Sequence, residues 1–408
     1  MEEAGFLVPA GFAVLASLVA AGLFARRLAR GKWAPAPSGD RHVALDGLRG
    51  FLALAVVSHH FLIWLGMAKF GRGWAPPAFF PFNHLGLGAV TLFFMITGYV
   101  FQPWIARGDL RRWPRLALRR LFRLQPLVAL SVALVCAVCL ARGGAFDARS
   151  SNAGSWRSAL LWLSCWSEPD LLGIAGAGRI NAYVLWSLKF EWLFTLVLLP
   201  ICALAARGLR GRAPGWLAPG GLLLLFSGAG VLLPGEGAAA TIAIFAPPFL
   251  IGMIAHEALA RERVRAGFAS PWALAAAMLA LGFAMMRAPT PFSTPQLALY
   301  SLLFCCVAAR RELPALTGAG AQALGAWSYP IYLLHGLLLS LLFVEGGARV
   351  ATASPLTLLA LLPALACLTV AVAAFAHRTV ERPAADFGRD LAARWPMLRR
   401  VEPAPAKP

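Results

Sequence analysis

Arg49 and His60 stand eleven residues apart in one apolar stretch, Asp46 to Gly66. At about 100° per residue, eleven steps come within about 20° of three full turns, so both side chains share one helix face, about 16 Å apart along the axis. Ionisable groups inside a membrane helix are costly, and by default they mark a functional site. A neutral imidazole accepts a proton near physiological pH, and a guanidinium offers a fork of N–H groups that suits phosphate or carboxylate. Together they could supply a base and an anion holder along one polar path. His59 points about 80° away from that stripe. Two plainer readings stay open on these residues alone. His60 could be packed between helices on a backbone carbonyl, and Arg49 could snorkel to the membrane edge and anchor its helix. Asp46, three residues before Arg49, is placed to pair with it and hold its orientation.

Other polar groups interrupt apolar runs. Glu191 lies mid-span in residues 182–200, with Lys189 on another face. A lone membrane carboxylate needs a partner. It could orient His60, bond the hydroxyls of a substrate, or pair structurally with an arginine. Trp186 and its aromatic neighbours could stack on a sugar face or form an interfacial belt. His335 ends the run from Ser328, with Tyr329 and Tyr332 at helical spacing and Pro330 permitting a kink. These could line a cavity or simply pack. Residues 107–126 carry seven arginines, most of them explained by membrane orientation and contact with anionic lipid. Thr97 and Gly98 are small enough to allow close helix approach. The seven His lack the Cys, Asp or Glu neighbours of a known ligand spacing, so no metal is expected.

The elements that must position these groups are transmembrane helices. Hydrophobic residues make up 59% of the 408-residue chain and charged residues only 13%, against roughly 25% charged in soluble proteins. Apolar runs of about 20 residues recur, which predicts an all-α polytopic helical bundle of about eleven transmembrane helices. They are expected near 4–24, 44–66, 84–106, 124–141, 182–206, 215–233, 238–257, 271–287, 295–309, 323–345 and 355–376. The net charge of +19 would suggest nucleic acid on a soluble protein, but here the basic residues cluster between spans and no nucleic-acid motif accompanies them. Segments 25–42, 107–123, 207–214, 258–270, 310–320 and 377–408 hold 27 of the 37 basic residues. That bias predicts a cytoplasmic side for them, with the N-terminus outside and the C-terminus in the cytoplasm.

Residues 1–24 are expected to be a retained helix rather than a signal peptide, because the acidic start and the later positive cluster reverse the usual order. The longest outward loop, 142–181, contains an apolar stretch from Ser155 to Trp166 that reads as an amphipathic, re-entrant or surface helix. The tail after the last helix is rich in Pro, Ala and Arg and reads as partly disordered. Of seven cysteines only Cys165 falls in an outward region, so no disulfide framework is implied. Cys136 and Cys139 have redox-like spacing but lie within an apolar helix, where cysteine acts as a small hydrophobe.

Several stretches, in order, resemble the acyltransferase family 3 membrane proteins. They are 45-LDGLRGFLALAVVSHH-60, 93-FFMITGY-99, 119-RRLFRLQP-126, 186-WSLKFEWLFTLVLLP-200, 325-GAWSYPIYLLH-335 and 378-RTVERP-383. They match an Arg-x10-His opening, a Phe-Phe-x-x-Ser-Gly-Phe type run, a basic segment ending in Pro, a Trp-Ser-Leu-x-x-Glu helix, a Ser-Tyr-x-x-Tyr-Leu-x-His helix and a closing Glu-x-Pro. Thr97, Tyr99 and Trp192 depart from the usual residues. The resemblance implies a ten-helix core, here preceded by one extra helix. It divides the chain into residues 1–42, a membrane domain 43–383 and a cytoplasmic tail 384–408, with no fused extracytoplasmic esterase-like domain.

The resemblance also implies the chemistry. An acetyl or other short acyl group would move from acetyl-CoA, the acyl donor, to a hydroxyl of a carbohydrate or related envelope acceptor in a bacterial inner membrane. It selects His60 over His59 as the base and gives Glu191 a catalytic role. Arg49, Arg119, Arg120 and Arg123 would hold the phosphates of the acyl-CoA. Asp46, Trp186, Tyr329 and His335 would contact substrate. The rival reading is a transporter or flippase, in which buried Arg, His and Glu serve passage; inverted repeats and paired broken helices would favour it, and neither is evident.

Overall fold

The computed structural model describes residues 5–31, 33–34, 42–107, 110–145, 156–209, 214–232, 238–310 and 312–394. Lipid offers backbone groups no hydrogen bonds, so an apolar chain crosses it as helices that satisfy themselves. Every segment predicted to span is helical over much of its length, and the described residues form an all-α, polytopic membrane bundle. The helices are α1 (Leu7–Leu28), α2 (Val43–Phe70), α3 (Phe80–Arg107), α4 (Trp113–Ala141), α5 (Trp156–Leu163), α6 (Leu185–Leu193), α7 (Leu199–Gly208), α8 (Leu217–Leu232) and α9 (Ala238–Leu259). They continue as α10 (Glu262–Phe268), α11 (Pro271–Met285), α12 (Thr294–Ala308), α13 (Pro314–Thr317), α14 (Ala319–Ala326), α15 (Ser328–Ser340), α16 (Gly347–Thr352), α17 (Pro355–Ala376) and α18 (Arg382–Arg394).

Eight of the described spans are long and apolar enough to cross a membrane. The pair α10 and α11, bent by 59°, makes a ninth if taken as one span, and α8 and α12 are shorter apolar helices. Three of the predicted spans are thus shorter or more broken than a plain run of apolar residues suggests.

Three contacts set the frame for the polar groups. First, α3 and α9 meet backbone to backbone. A Cβ on Gly98 would strike the Phe249 carbonyl, and one on Gly252 would strike the Met95 carbonyl, so only glycine allows this approach. Second, α6 runs into α7 through a π-helical turn, Phe194–Leu198. Pro200, five residues after Thr195, has no N–H to give the Thr195 carbonyl. Trp113 Nε1 donates to that carbonyl instead, at 2.9 Å, and so ties the start of α4 to α6. Third, α17 passes through another π-helical turn, His377–Glu381, into α18. The tail is therefore helical as far as Arg394, and α18 packs on α4 with Phe387 edge-on to Phe122 at 5.2 Å. Residues 395–408 lie outside the described residues.

The loop before α6 carries unusual backbone. Cys165, Leu172, Ala182 and Tyr183 all have positive φ, between 52° and 57°, a conformation that side chains disfavour and that clusters at functional sites. Within this loop the expected amphipathic segment is a short helix, α5. Its Trp162 is buried and donates to the Pro169 carbonyl at 2.9 Å, while Trp156 and Leu160 are exposed. Residues 146–155 lie outside the described residues.

Candidate active site

The arginines of α4 fall at 115, 119, 120 and 123, with Arg112 just before them. Steps of three and four residues bring one helical stripe to one face. That face, together with α2, α3, α6 and α15, lines a half-open cavity of about 510 Å³. Its lining includes Arg49, Arg112, Arg115, Arg119, Arg120 and Arg123. Glu191 is the one carboxylate among the lining residues. Arg119 and Arg120, which the sequence could not separate, both reach it. Arg112 and Arg115 were assigned to membrane orientation, and their three- and four-residue spacing to Arg119 was the signal for a shared face.

Glu191 does not orient His60. Arg120 Nη2 donates to its Oε2 in a close ion pair, and Thr97 Oγ1 donates to its Oε1 at 3.0 Å. Depth explains the mismatch. Thr97 lies level with Glu191, whereas Gly86, eleven residues back along α3, packs on the His59 ring beside His60. Eleven helical residues span about 16 Å, well beyond contact. The structural pairing with arginine is therefore the arrangement found.

The remaining basic-end groups interlock. Asp46 sits 4.0 Å from Arg49 as expected, and it is not itself among the cavity residues. Arg123 lies 3.9 Å from Glu381, a buried carboxylate whose other oxygen accepts from His377 Nδ1 at 2.7 Å. Tyr329 lines the cavity, but its O–H is spent on the Leu124 carbonyl at 2.7 Å. Trp186 stands apart, packed edge-on to Phe190 and tilted against Phe245.

His60 and His335 meet away from the cavity lining. His60 Nδ1 and His335 Nε2 are 2.9 Å apart. Tyr332 joins this pair to the cavity. Its ring lies 6.2 Å from that of His335, and its hydroxyl is held 2.7 Å from Ser187 Oγ; Tyr332 and Ser187 both line the cavity. On the far side, Trp74 stacks on His60 at 6.2 Å, and Tyr183 meets Trp74 edge-on at 5.5 Å. His59 donates from Nδ1 to the Phe82 carbonyl at 2.9 Å and is buried. One polar line thus runs from six arginines through Tyr332 to the imidazole pair and ends at an aromatic rim.

A family model described as an acyltransferase domain, Acyl_transf_3, matches residues 42–378. The chain belongs to acyltransferase family 3. No curated protein and no solved structure gives a significant match. In this membrane acyltransferase the six motif stretches, spread over more than 300 residues of sequence, converge on one line of contacts.

The acyltransferase also holds a carboxyl that sequence reasoning missed. Glu168 lies in the strained loop before α6, outside the spanning helices. Its Oε1 accepts from the backbone N–H of Leu185 at 2.9 Å, which caps the helix that carries Ser187 and Glu191. Its Oε2 is sealed from solvent with no hydrogen-bond partner. Burial pushes this carboxyl up from the ordinary 4.5 to about 8, although the N–H groups of Leu185 and Trp186 pull the other way. A raised carboxyl binds its proton more tightly in the folded state. Its contribution to stability is therefore complete below about pH 4.5 and is lost as pH rises through about 8. The melting temperature of the detergent-solubilised protein should fall between pH 5 and pH 9, and E168Q, which keeps the cap without the charge, should flatten that fall. An identical slope in E168Q would assign it to other groups. Nothing in the primary sequence marked Glu168, because its burial depends on a loop fold that periodicity does not describe.

Proposed function

We propose that this protein transfers an acetyl or other short acyl group from acyl-CoA to a hydroxyl of a carbohydrate or related envelope acceptor. It would sit in a bacterial inner membrane with its basic end in the cytoplasm, its N-terminus outside and its C-terminus inside. One observation carries the reading: six guanidinium groups against one carboxylate around a cavity of about 510 Å³. A pyrophosphate and a 3′-phosphate together carry several negative charges, and arginine forks suit them in position and geometry. The cytoplasm is where acyl-CoA is made, and the positive-inside bias supports a cytoplasmic mouth for this cavity.

The acyl arm would extend from the arginines past Tyr332 toward His60. His60 would take the proton of the acceptor hydroxyl as its oxygen attacks the thioester carbon. Arg49, anchored by Asp46, and Arg119, Arg120 and Arg123 would hold the phosphates, joined by Arg112 and Arg115. Glu191 would keep Arg120 in place. Trp74 and Tyr183, at the outer side of His60, are nearer the point of transfer than Trp186 and are better placed to meet an acceptor.

Sidedness tests the function and the orientation together. Inverted membrane vesicles expose the cytoplasmic face to added label, and right-side-out vesicles do not. With labelled acetyl-CoA, inverted vesicles containing the protein should form alkali-labile esters, and right-side-out vesicles should not. Label only in right-side-out vesicles would reverse the orientation. No protein-dependent ester in either preparation would sink acyl-CoA as the donor.

A further inference from the structure

We infer that His335 is a positioning residue for His60, holding its proton on Nδ1 and leaving Nε2 as the free lone pair. The inference rests on the proposed transfer, in which His60 is the base. It follows from which atoms can only accept. A backbone carbonyl has no proton to give, so the 3.2 Å contact between His335 Nδ1 and the Ile331 carbonyl requires a proton on that nitrogen. A neutral imidazole carries one N–H, so His335 Nε2 is a lone pair. It faces His60 Nδ1 at 2.9 Å. Two lone pairs at that distance repel, so the proton lies on His60 Nδ1, which donates to His335. The second nitrogen of His60 is then unprotonated, the state a base needs.

The alternative is a protonated His335 that donates at both nitrogens. That ring is fully buried, and among the described residues the carboxylate ion pairs are made elsewhere, by Arg49, Arg120, Arg123, Arg142, Arg265, His377, Arg382 and Arg389. A buried cation without a counter-charge is strongly disfavoured. The neutral chain therefore stands: Ile331 carbonyl, His335 and His60, whose single N–H also reaches the Val56 carbonyl one helical turn back. Trp74, stacked on His60 with ring planes 22° apart, restrains the ring on its face while His335 restrains its edge.

The arrangement matters most at the moment of transfer. The acceptor oxygen forms a bond to the thioester carbon as its proton passes to His60 Nε2. His60 is then an imidazolium, and its Nδ1–H bond to the lone pair on His335 becomes charge-assisted. As the tetrahedral species collapses, the carbon–sulfur bond breaks and the thiolate takes the proton from Nε2. His60 returns to its starting tautomer. His59 cannot substitute, because its ring, Nε2 included, is packed against Gly86 of α3.

His335→Gln keeps an accepting oxygen toward His60 and an N–H toward Ile331. His335→Leu fills similar space and offers neither. The purified variants would be compared with the wild type for kcat, for KM of acetyl-CoA and for KM of the acceptor. In His335→Leu kcat should fall about 100-fold or more, the scale on which a mis-set imidazole tautomer acts. The KM for acetyl-CoA should stay near the wild-type value, and His335→Gln should recover most of the rate. Equal losses in the two variants, or a loss carried by KM alone, would overturn the inference. If His335→Leu fails to fold, the 15N shifts of the histidine rings in the wild-type protein serve in its place: His60 should carry its proton on Nδ1, and a proton on Nε2 also overturns the inference. His60→Ala distinguishes the two levels. An active His60→Ala protein removes the base itself, whereas an inactive one beside a fully active His335→Leu protein removes only the role of His335.

Discussion

Replacing His60 with Ala is expected to abolish acyl transfer while leaving membrane insertion and acyl-CoA binding intact. General-base catalysis contributes about 10²- to 10⁴-fold, and the neighbouring imidazole of His335 has its Nε2 turned to His60. His59→Ala is the internal control. Its ring is buried and bonded to the Phe82 carbonyl, so its loss should lower stability by about 1–3 kcal/mol through an unpaired carbonyl and reduce transfer far less. Both would be assayed in membranes with labelled acetyl-CoA at matched protein abundance. Full transfer by His60→Ala would take this residue out of the mechanism.

The second large effect is expected at the Arg120–Glu191 pair, where both side chains are 13% exposed. Arg120→Ala leaves a carboxylate in the membrane interior with only Thr97 as a partner, and breaking such a pair costs about 3–5 kcal/mol. The single variant should therefore be poorly folded. A double change, Arg120→Leu with Glu191→Leu, removes both charges and should regain most of that stability, since an apolar replacement of a buried pair is often neutral. It should nevertheless bind acyl-CoA more weakly, because the cavity loses one guanidinium. Thermal unfolding and acyl-CoA binding, measured on the same three proteins, separate the two consequences. A double variant as unstable as the single one would show that the pair's geometry, not its charge balance, holds α3, α4 and α6 together.

Most of the fold was legible because lipid leaves a chain few choices. An apolar run long enough to cross must be helical, so the spans could be located from composition and length. The irregular parts were not. The π-helical turn after Glu191, the 59° bend between α10 and α11, and the strained loop around Glu168 arise from tertiary contacts that periodicity does not encode. The tail was read by composition, which hid the four-residue spacing of Phe387 and Leu391 on α18.

The site divides in the same way. Arg49, His60, Arg120, Glu191 and His335 were all singled out, because polar groups in apolar runs stand out. Their partners were not legible. His60 and His335 are 275 residues apart, and no local rule joins them. Glu191 could have paired with His60 or with an arginine until the depth of each helix was known. Arg112 and Arg115 looked like a topology signal because the same charges serve both purposes.

The contact between α3 and α9 through Gly98 and Gly252 leaves no side-chain layer there to swell or shrink. The wall that carries Thr97 is consequently stiff, and its spacing is fixed by main-chain atoms. The aromatic rim at Trp74 and Tyr183 is built the other way, from rings on loops held by their mutual packing. A change of lipid thickness or a run of neutral substitutions would deform the rim long before it reached the arginine cavity. Under the proposed function, such a division would let one end of the molecule acquire new acceptors while the other kept its grip on a constant coenzyme.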